Sequence, residues 1–432
     1  MYLFIFLAVL SDVFLIILYT RTGSAIFAKI LLYGTETIIM IIFAYLLLKT
    51  FGTRLPVFIY IYIGYILLMM LVSFLYYDGY TVLKDSRKFL APIPPLLLGY
   101  YFTLAYKEER EKYVTKLITF LTVMSVIGLI EWVWWYFSYD SIVQLYSKYF
   151  DIGSYYHYIR QTSNIEASGI MTSGIRPAGF LIPGVTKRLT GLYLEPFSAG
   201  FNSILAVILI LYSRIAGYQI KRRNYHIFLI INIAAVILTT SRSAYLFLFV
   251  SLFIYIMIRR RFFIVLPFGL LVFFFYGPLK DFFITLVNTL KGGPHREAVF
   301  LFINYFFNYL LSFDGLFGQG IGSRWLGIGE EKALLYIESG YGAIFGQLGL
   351  FGLFSIFFLF LTIIARVYFS KENKFFVLST SISTAALLFF GGYPFGYKTY
   401  GLIYLFLGSI MGKLSYVDRS LGYKALNKAE KL

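Results

Sequence analysis

Cysteine is absent from the 432 residues, which excludes a disulfide framework, a thiolate metal site and a cysteine nucleophile. Histidine is nearly absent as well. His157, His226 and His295 are all the chain has, no two of them stand at metal-ligand spacing, and no Asp-x-Asp occurs. Charge is sparse at 14% of residues, and acids are outnumbered, with 21 Asp and Glu against 38 Lys and Arg. There is no solenoid repeat and no low-complexity segment.

What fills the chain instead is apolar. Hydrophobic residues make up 59% of it and the mean hydropathy is +0.76. Soluble domains average about 45–50% apolar and about 25% charged, so the surplus apolar surface needs lipid as its solvent. The expected fold class is therefore an all-α polytopic integral membrane protein, one membrane domain over 1–432. Apolar runs against polar punctuation give spans at 2–19, 25–48, 55–76, 88–106, 113–138, 192–213, 225–241, 243–258, 262–278, 335–368, 375–391 and 397–412. At about 20 residues per crossing, about 12 transmembrane helices consume over half the chain. Tyr2–Tyr19 has no basic n-region and no small-residue cleavage site, so it is expected to stay as an uncleaved first span. Pro92, Pro94 and Pro95 are expected to kink the fourth span. The run at 335–368 exceeds one crossing, and Gly349-Leu350-Phe351-Gly352 is where a break into a short re-entrant helix and a span is expected.

A net charge of +17 suggests nucleic acid in a soluble protein; here its distribution decides otherwise. With the N-terminus placed in the cytoplasm, the inner loops and C-terminal tail hold 21 of the 38 basic residues, among them Lys221–Arg223 and Arg259–Arg261, against six acids. That is the positive-inside pattern. The charge is an orientation signal facing anionic lipids, with no nucleic-acid partner, and both termini are expected inside. The two long loops, 139–191 between spans five and six and 279–334 between spans nine and ten, are expected outside.

Ionisable residues at the outer ends of spans are the candidates for chemistry. Arg188 opens Arg188-Leu189-Thr190-Gly191-Leu192-Tyr193-Leu194-Glu195-Pro196 at the mouth of the sixth span. Glu195 lies about two turns further on, so a structural Arg188–Glu195 salt bridge competes with a functional role. Thr239-Thr240-Ser241-Arg242-Ser243-Ala244 forms a tight outward turn between two short spans, with almost no aqueous loop for Arg242 to snorkel into. The second long loop carries His295-Arg296-Glu297, then an amphipathic, aromatic-rich stretch at 298–311, then Gly318-Gln319-Gly320-Ile321-Gly322-Ser323-Arg324. These glycines look like a phosphate-cradling loop, but no strand precedes them and no Lys-Ser/Thr follows, which argues against a nucleotide site. Glu338, in Ile337-Glu338-Ser339-Gly340-Tyr341-Gly342, sits at the outer start of the tenth span, where a carboxylate needs a partner or a task. Gly342 and Gly346 form a small-xxx-small pair suited to close helix packing. Grouped arginines suit a pyrophosphate, because the guanidinium fork stays charged and holds phosphate oxygens bidentately. A carboxylate among them suits a general base. Aromatics of the outer loops, Tyr155, Tyr156, Tyr158, Trp325 and Tyr341, are candidates for stacking on sugar rings.

In these residues the chain resembles the bacterial O-antigen polymerase and ligase family, in particular the Wzy-type polysaccharide polymerases. The resembling pieces run from Arg188-Leu-Thr-Gly-Leu-Tyr-Leu-Glu-Pro through Thr240-Ser241-Arg242-Ser-Ala, Arg296 and Gly318-Gln-Gly320-Ile-Gly322 to Glu338-Ser-Gly-Tyr and Gly349-Leu-Phe-Gly352. They cover 188–368 in the family's order. The resemblance implies a GT-C-like membrane glycosyltransferase at the outer, periplasmic face of the bacterial cytoplasmic membrane. Its donor would be an undecaprenyl-pyrophosphate-linked oligosaccharide, with no cofactor, no metal and no nucleotide sugar. The first outer loop, Arg21–Ser24, lacks the acid that metal-dependent lipid-phosphate glycosyltransferases place there. A chain-length regulator protein is the protein partner implied. Arg188 and Arg242 match arginines of the family thought to contact the pyrophosphate, and Arg296 the arginine of its long outer loop.

The implied mechanism has Arg188 and Arg242 as catalytic cations and Glu338 as base. Arg296, Glu195, Arg324, Gln319, Tyr341 and His295 are the substrate-binding set, and Glu195 is the competing base. The ligase branch carries a His near the position of Glu338, and no His follows His295 here, which favours the polymerase over the ligase. Two other classes remain. A lipid-linked oligosaccharide flippase or a secondary transporter would show an internal repeat, and a transporter would draw on intramembrane acids, for which Asp12, Glu36 and Glu131 are the candidates.

Overall fold

The computed structural model of the chain describes residues 14–22, 41–49, 57–105, 110–138, 189–190, 196–218, 222–259, 312–323, 340–367, 371–388 and 400–412. The expected span at 262–278, the amphipathic stretch at 298–311 and most of the two long loops lie outside them.

Every regular element among the described residues is helical and none is a strand. In chain order they are α1 (14–22) and α2 (41–49), then α3 Val57–Ser73, α4 Gly79–Leu90, α5 Ile93–Ala105, α6 Arg110–Phe137, α7 Pro196–Ala216, α8 Arg222–Leu238 and α9 Arg242–Ile258. They continue with α10 Phe313–Phe317, α11 Gly340–Val367 and α12 Lys371–Leu387, and end with α13 Tyr400–Gly412. Among the described residues three stretches are long and apolar enough to cross a membrane: Glu111–Phe137, Ser198–Ala216 and Gly342–Leu359. This is the outcome lipid demands, since a helix satisfies its own backbone hydrogen bonds within one segment. Large apolar side chains stay exposed on helix faces, as in the row Phe351, Phe354, Phe357, Phe358 and Leu361 of α11. A soluble protein would hide such a surface. The fold is that of an α-helical membrane protein.

The fourth span differs from its expectation. Residues 79–90 form a separate short helix, α4, and the next helix, α5, begins only at Ile93. The reason is proline placement. Pro92 falls between the helices, and Pro94 and Pro95 occupy the first turn of α5, where their missing N–H groups cost nothing. They start the helix instead of kinking it. Asp78 caps α4 by accepting from the Thr81 N–H at 3.0 Å, and Arg87 and Lys88 in its last turn suit the helix dipole.

The chain falls into two compact units. The first comprises Met1–Phe51, Ile93–Leu248 and Tyr397–Leu432. At its centre is α7, in which every residue from Ser198 to Ser213 is buried, as expected of a helix that is apolar all round. Helices α6, α7 and α8 are joined by a buried polar cluster. Asn232 donates to the Thr122 hydroxyl at 2.9 Å and to the Phe228 carbonyl at 2.8 Å. Its side-chain oxygen accepts from Ser125 at 2.8 Å, and the Ser125 and Ser203 hydroxyls are 2.9 Å apart. Each of these four side chains thus has a partner inside the apolar bundle, which ties the three helices together. Elsewhere in this unit α5 and α13 run parallel, Gly99 against Leu405–Ser409 and Gly412 against Tyr100 and Thr103. The Gly408–Gly412 spacing allows that close approach, and a methyl at Gly99 or Gly408 would run into the facing backbone.

The second unit comprises Gly52–Pro92 and Phe249–Gly396. Here α3 packs against α4 and α11, and α11 against α10 and α12. The Tyr62 hydroxyl, fully buried, donates to the Phe89 carbonyl at 2.7 Å and ties α3 to the end of α4. Ring contact between Tyr255 and Phe375 joins α9 to α12. α11 is broken at Gly349, whose φ of +66° and ψ of −166° lie outside any helix. The break expected from Gly349–Gly352 is therefore present.

Candidate functional site

Two of the motifs singled out in the sequence meet in the first unit. The Leu189 N–H, next in the chain to Arg188, donates to the Leu238 carbonyl at 2.9 Å, the last residue of α8. From there the chain turns through Thr239, Thr240 and Ser241 into α9, whose first residue is Arg242. The turn is tight. The Thr239 N–H bonds back to Ala235 and Val236, the Thr240 N–H to Ile237 at 3.2 Å, and the Thr239 hydroxyl to the Val236 carbonyl at 2.7 Å. Thr240 has a φ of +46°, a left-handed conformation that costs a β-branched residue about 1–3 kcal/mol. Ser241 caps α9, its hydroxyl accepting from the Ala244 N–H at 3.4 Å. The Tyr245 hydroxyl closes the hairpin onto the Ile237 carbonyl.

Close packing holds this corner together. Gly200 of α7 lies under it: an added Cβ would meet the Ala244 Cβ at 2.9 Å and the Thr239 hydroxyl at 3.2 Å. Leu189, Thr190, Thr239 and Ser241 are all buried. A carboxylate joins them that the sequence reading did not place in the site. The Thr190 hydroxyl lies 3.4 Å from each carboxylate oxygen of Glu131, on α6. Its signal was an acid inside the apolar run 113–138, which by itself said nothing of the Arg188 and Arg242 segments.

The glycine-rich stretch of the second unit is also described, and its geometry bears on the phosphate-loop question. Gly318, Gly320 and Gly322 have φ of +79°, +97° and +90°. The backbone N–H groups from Gly318 to Ser323 all have acceptors inside the protein. Gly318 bonds to Asp314, Gln319 to Gly346 at 2.8 Å, Gly320 to Gln347 at 3.2 Å and Ser323 to Gly320. The Ile321 N–H bonds to the Ser73 hydroxyl at 2.7 Å and the Gly322 N–H to the Gln347 side chain at 3.4 Å. A phosphate cradle needs free amides, whereas these are spent. What they do is satisfy α11, because the break at Gly349 releases the carbonyls of Gly346, Gln347 and Leu348. The first two accept from the loop, and Leu348 accepts from the Tyr65 hydroxyl at 2.5 Å. Tyr77 fastens the loop from outside, donating to the Gln319 carbonyl at 2.7 Å. Burial, and then the negative charge of Asp314, push the Tyr77 phenol above its ordinary range, so it keeps the proton it donates.

Of the residues chosen from the sequence, Gln319 lies in this loop with both backbone groups engaged. Tyr341 is the second residue of α11 and Arg242 the first of α9. Arg188, Glu195, His295, Arg296, Arg324 and Glu338 lie outside the described residues. Among the described residues no three His, Asp or Glu side chains come together as metal ligands would. The chain matches no protein-family model and no curated protein sequence.

Proposed function

We propose that the protein is a membrane polysaccharide polymerase of about twelve spans with GT-C-like architecture. It transfers a growing glycan from undecaprenyl pyrophosphate to a terminal sugar hydroxyl of another lipid-linked repeat, at the outer face of a bacterial cytoplasmic membrane. The observation that carries the reading is the Leu189–Leu238 backbone bond, which holds the neighbour of Arg188 against the turn leading to Arg242. Two arginine-bearing motifs that are 54 positions apart in the chain thereby belong to one corner, and a pyrophosphate is the ligand whose two charged groups use two guanidinium forks. The N-terminus of α9 supports the same ligand class through its helix dipole. The parallel run of α5 and α13 supports the topology, since the fourth and twelfth spans of such a chain must point the same way.

In the reaction, the acceptor hydroxyl oxygen attacks the anomeric carbon and the bond from that carbon to the pyrophosphate oxygen breaks. The hydroxyl proton passes to a carboxylate, assigned to Glu338, and undecaprenyl pyrophosphate leaves. In-line displacement inverts the anomeric configuration. Arg188 and Arg242 stabilise the charge that develops on the leaving oxygen, an effect worth about 3–4 kcal/mol for a well-placed donor. No metal and no nucleotide sugar take part, because the energy lies in the lipid pyrophosphate bond.

Substitution tests it. Arg188→Ala and Arg242→Ala should each abolish polymer while the protein still accumulates in the membrane. The Lys variants should recover little, because a point charge does not reproduce the fork. Near-normal polymer in either Ala variant removes that arginine from the site.

A further inference from the structure

We infer that Glu131 is a positioning residue of this corner, acting through Thr190 on the segment that begins at Arg188; its consequence for turnover rests on the proposed transferase reading. Glu131 is the one carboxylate between Lys112 and the end of α6, in a helix otherwise apolar enough to cross a membrane. An acid is costly there and marks a function unless it is engaged by a donor. Thr190 is such a donor, 95% buried, with its hydroxyl 3.4 Å from both carboxylate oxygens.

The two described residues after Arg188 are thus held from two sides. Leu189 is held through its backbone to the end of α8, and Thr190 through its side chain to α6. A hydroxyl–carboxylate bond is typically about 2.7–2.8 Å. At 3.4 Å from each oxygen the hydroxyl straddles the carboxylate, so the contact uses both of its oxygens, and an amide, with one acceptor oxygen, holds the segment less well. Removing either partner leaves the chain's path intact through the Leu189 bond but frees it to shift at Thr190. The consequence falls on donor binding, because Arg188 precedes this segment directly.

The test compares Thr190→Val, Thr190→Ser, Glu131→Gln and the Val/Gln double variant in the full-length protein. Two readouts are needed: hydrogen exchange of the Leu189 amide, and KM and kcat with an undecaprenyl-pyrophosphate-linked repeat. Thr190→Val and Glu131→Gln should each speed Leu189 exchange and raise KM for the lipid-linked donor by about threefold to tenfold, the effect of losing one hydrogen bond. Changes in kcat should stay within about threefold, Thr190→Ser should restore both readouts, and the double variant should be no worse than the worse single, as coupled partners behave. If wild-type protein transfers nothing while Thr190→Val still loosens Leu189, the transferase reading fails and the positioning role stands. If wild-type protein transfers glycan and both single variants keep its KM, or their effects add, the positioning role is overturned. If Glu131→Gln fails to accumulate, the Thr190 pair decides alone, and a Val variant indistinguishable from wild type in both readouts overturns it.

Discussion

Gly349→Ala isolates the clamp between the glycine loop and α11. Gly349 holds a φ of +66° and a ψ of −166°, a region open essentially to glycine alone, and imposing it on alanine costs about 1–3 kcal/mol. The methyl would also land on main chain, within 2.5 Å of the Leu316 carbonyl carbon and against the Gly318 amide. Backbone cannot rotate aside as a side chain does, so overpacking adds about 1–3 kcal/mol. The helix has one escape, which is to straighten. It would then reclaim the Gly346 and Gln347 carbonyls and expel the Gln319 and Gly320 amides that now bond to them. Both routes open the loop, so hydrogen exchange at Gln319, Gly320, Ile321 and Gly322 should accelerate, and the thermal midpoint in detergent should fall. Gly64→Ala is the control. Gly64 lies inside α3 with nothing within 4 Å of an added Cβ, and alanine there should gain up to about 1 kcal/mol of helix propensity. A Gly349→Ala protein with wild-type exchange and midpoint would refute the clamp.

Other outcomes follow from the same geometry. Asn232→Leu leaves Thr122 without its donor and Ser125 without its acceptor. It should destabilise the first unit by about 1–2 kcal/mol, read by thermal or denaturing-detergent titration; an unchanged transition would mean the cluster contributes no net stability. Glu338→Gln should still bind lipid-linked donor but lose about 10²–10⁴-fold in transfer rate, as removal of a general base does, and a wild-type rate in the purified variant would remove Glu338 as base. Because the chain has no cysteine, single cysteines report topology without background. Arg160→Cys and Leu310→Cys should react with an impermeant thiol reagent in intact cells and Arg222→Cys should not; the reverse pattern would overturn the orientation.

The helices were legible wherever the chain meets lipid on one side and protein on the other, because apolar length is what both solvents demand. The expected span at 113–138 lies within α6 and its flank, and 243–258 within α9. The break at Gly349 was legible because a run of glycines in an over-long apolar stretch has few other uses. The separate helix at 79–90 was not. With Lys84, Asp85, Arg87 and Lys88 it reads as a polar loop, and only its packing on α3 gives it a buried side. The glycine loop was half legible: the motif lacked the strand and Lys-Ser/Thr of a phosphate site, but its true partners, Ser73 and Gly346–Gln347, are set by packing between distant segments. Glu131 shows the same limit. An acid in an apolar span announces itself, but its contact with Thr190, 59 positions on, is a product of the folded bundle.

The most direct measurement mixes the purified protein with an undecaprenyl-pyrophosphate-linked repeat in the presence of EDTA and follows both glycan length and the released lipid. Transfer should lengthen the glycan and release one undecaprenyl pyrophosphate for each new glycosidic bond. Chelator should leave the rate unchanged, and Arg242→Ala should abolish it. No lengthening by the wild-type protein, or lengthening that stops in EDTA and returns only with magnesium or manganese, would contradict the proposed arginine-based, metal-independent transfer.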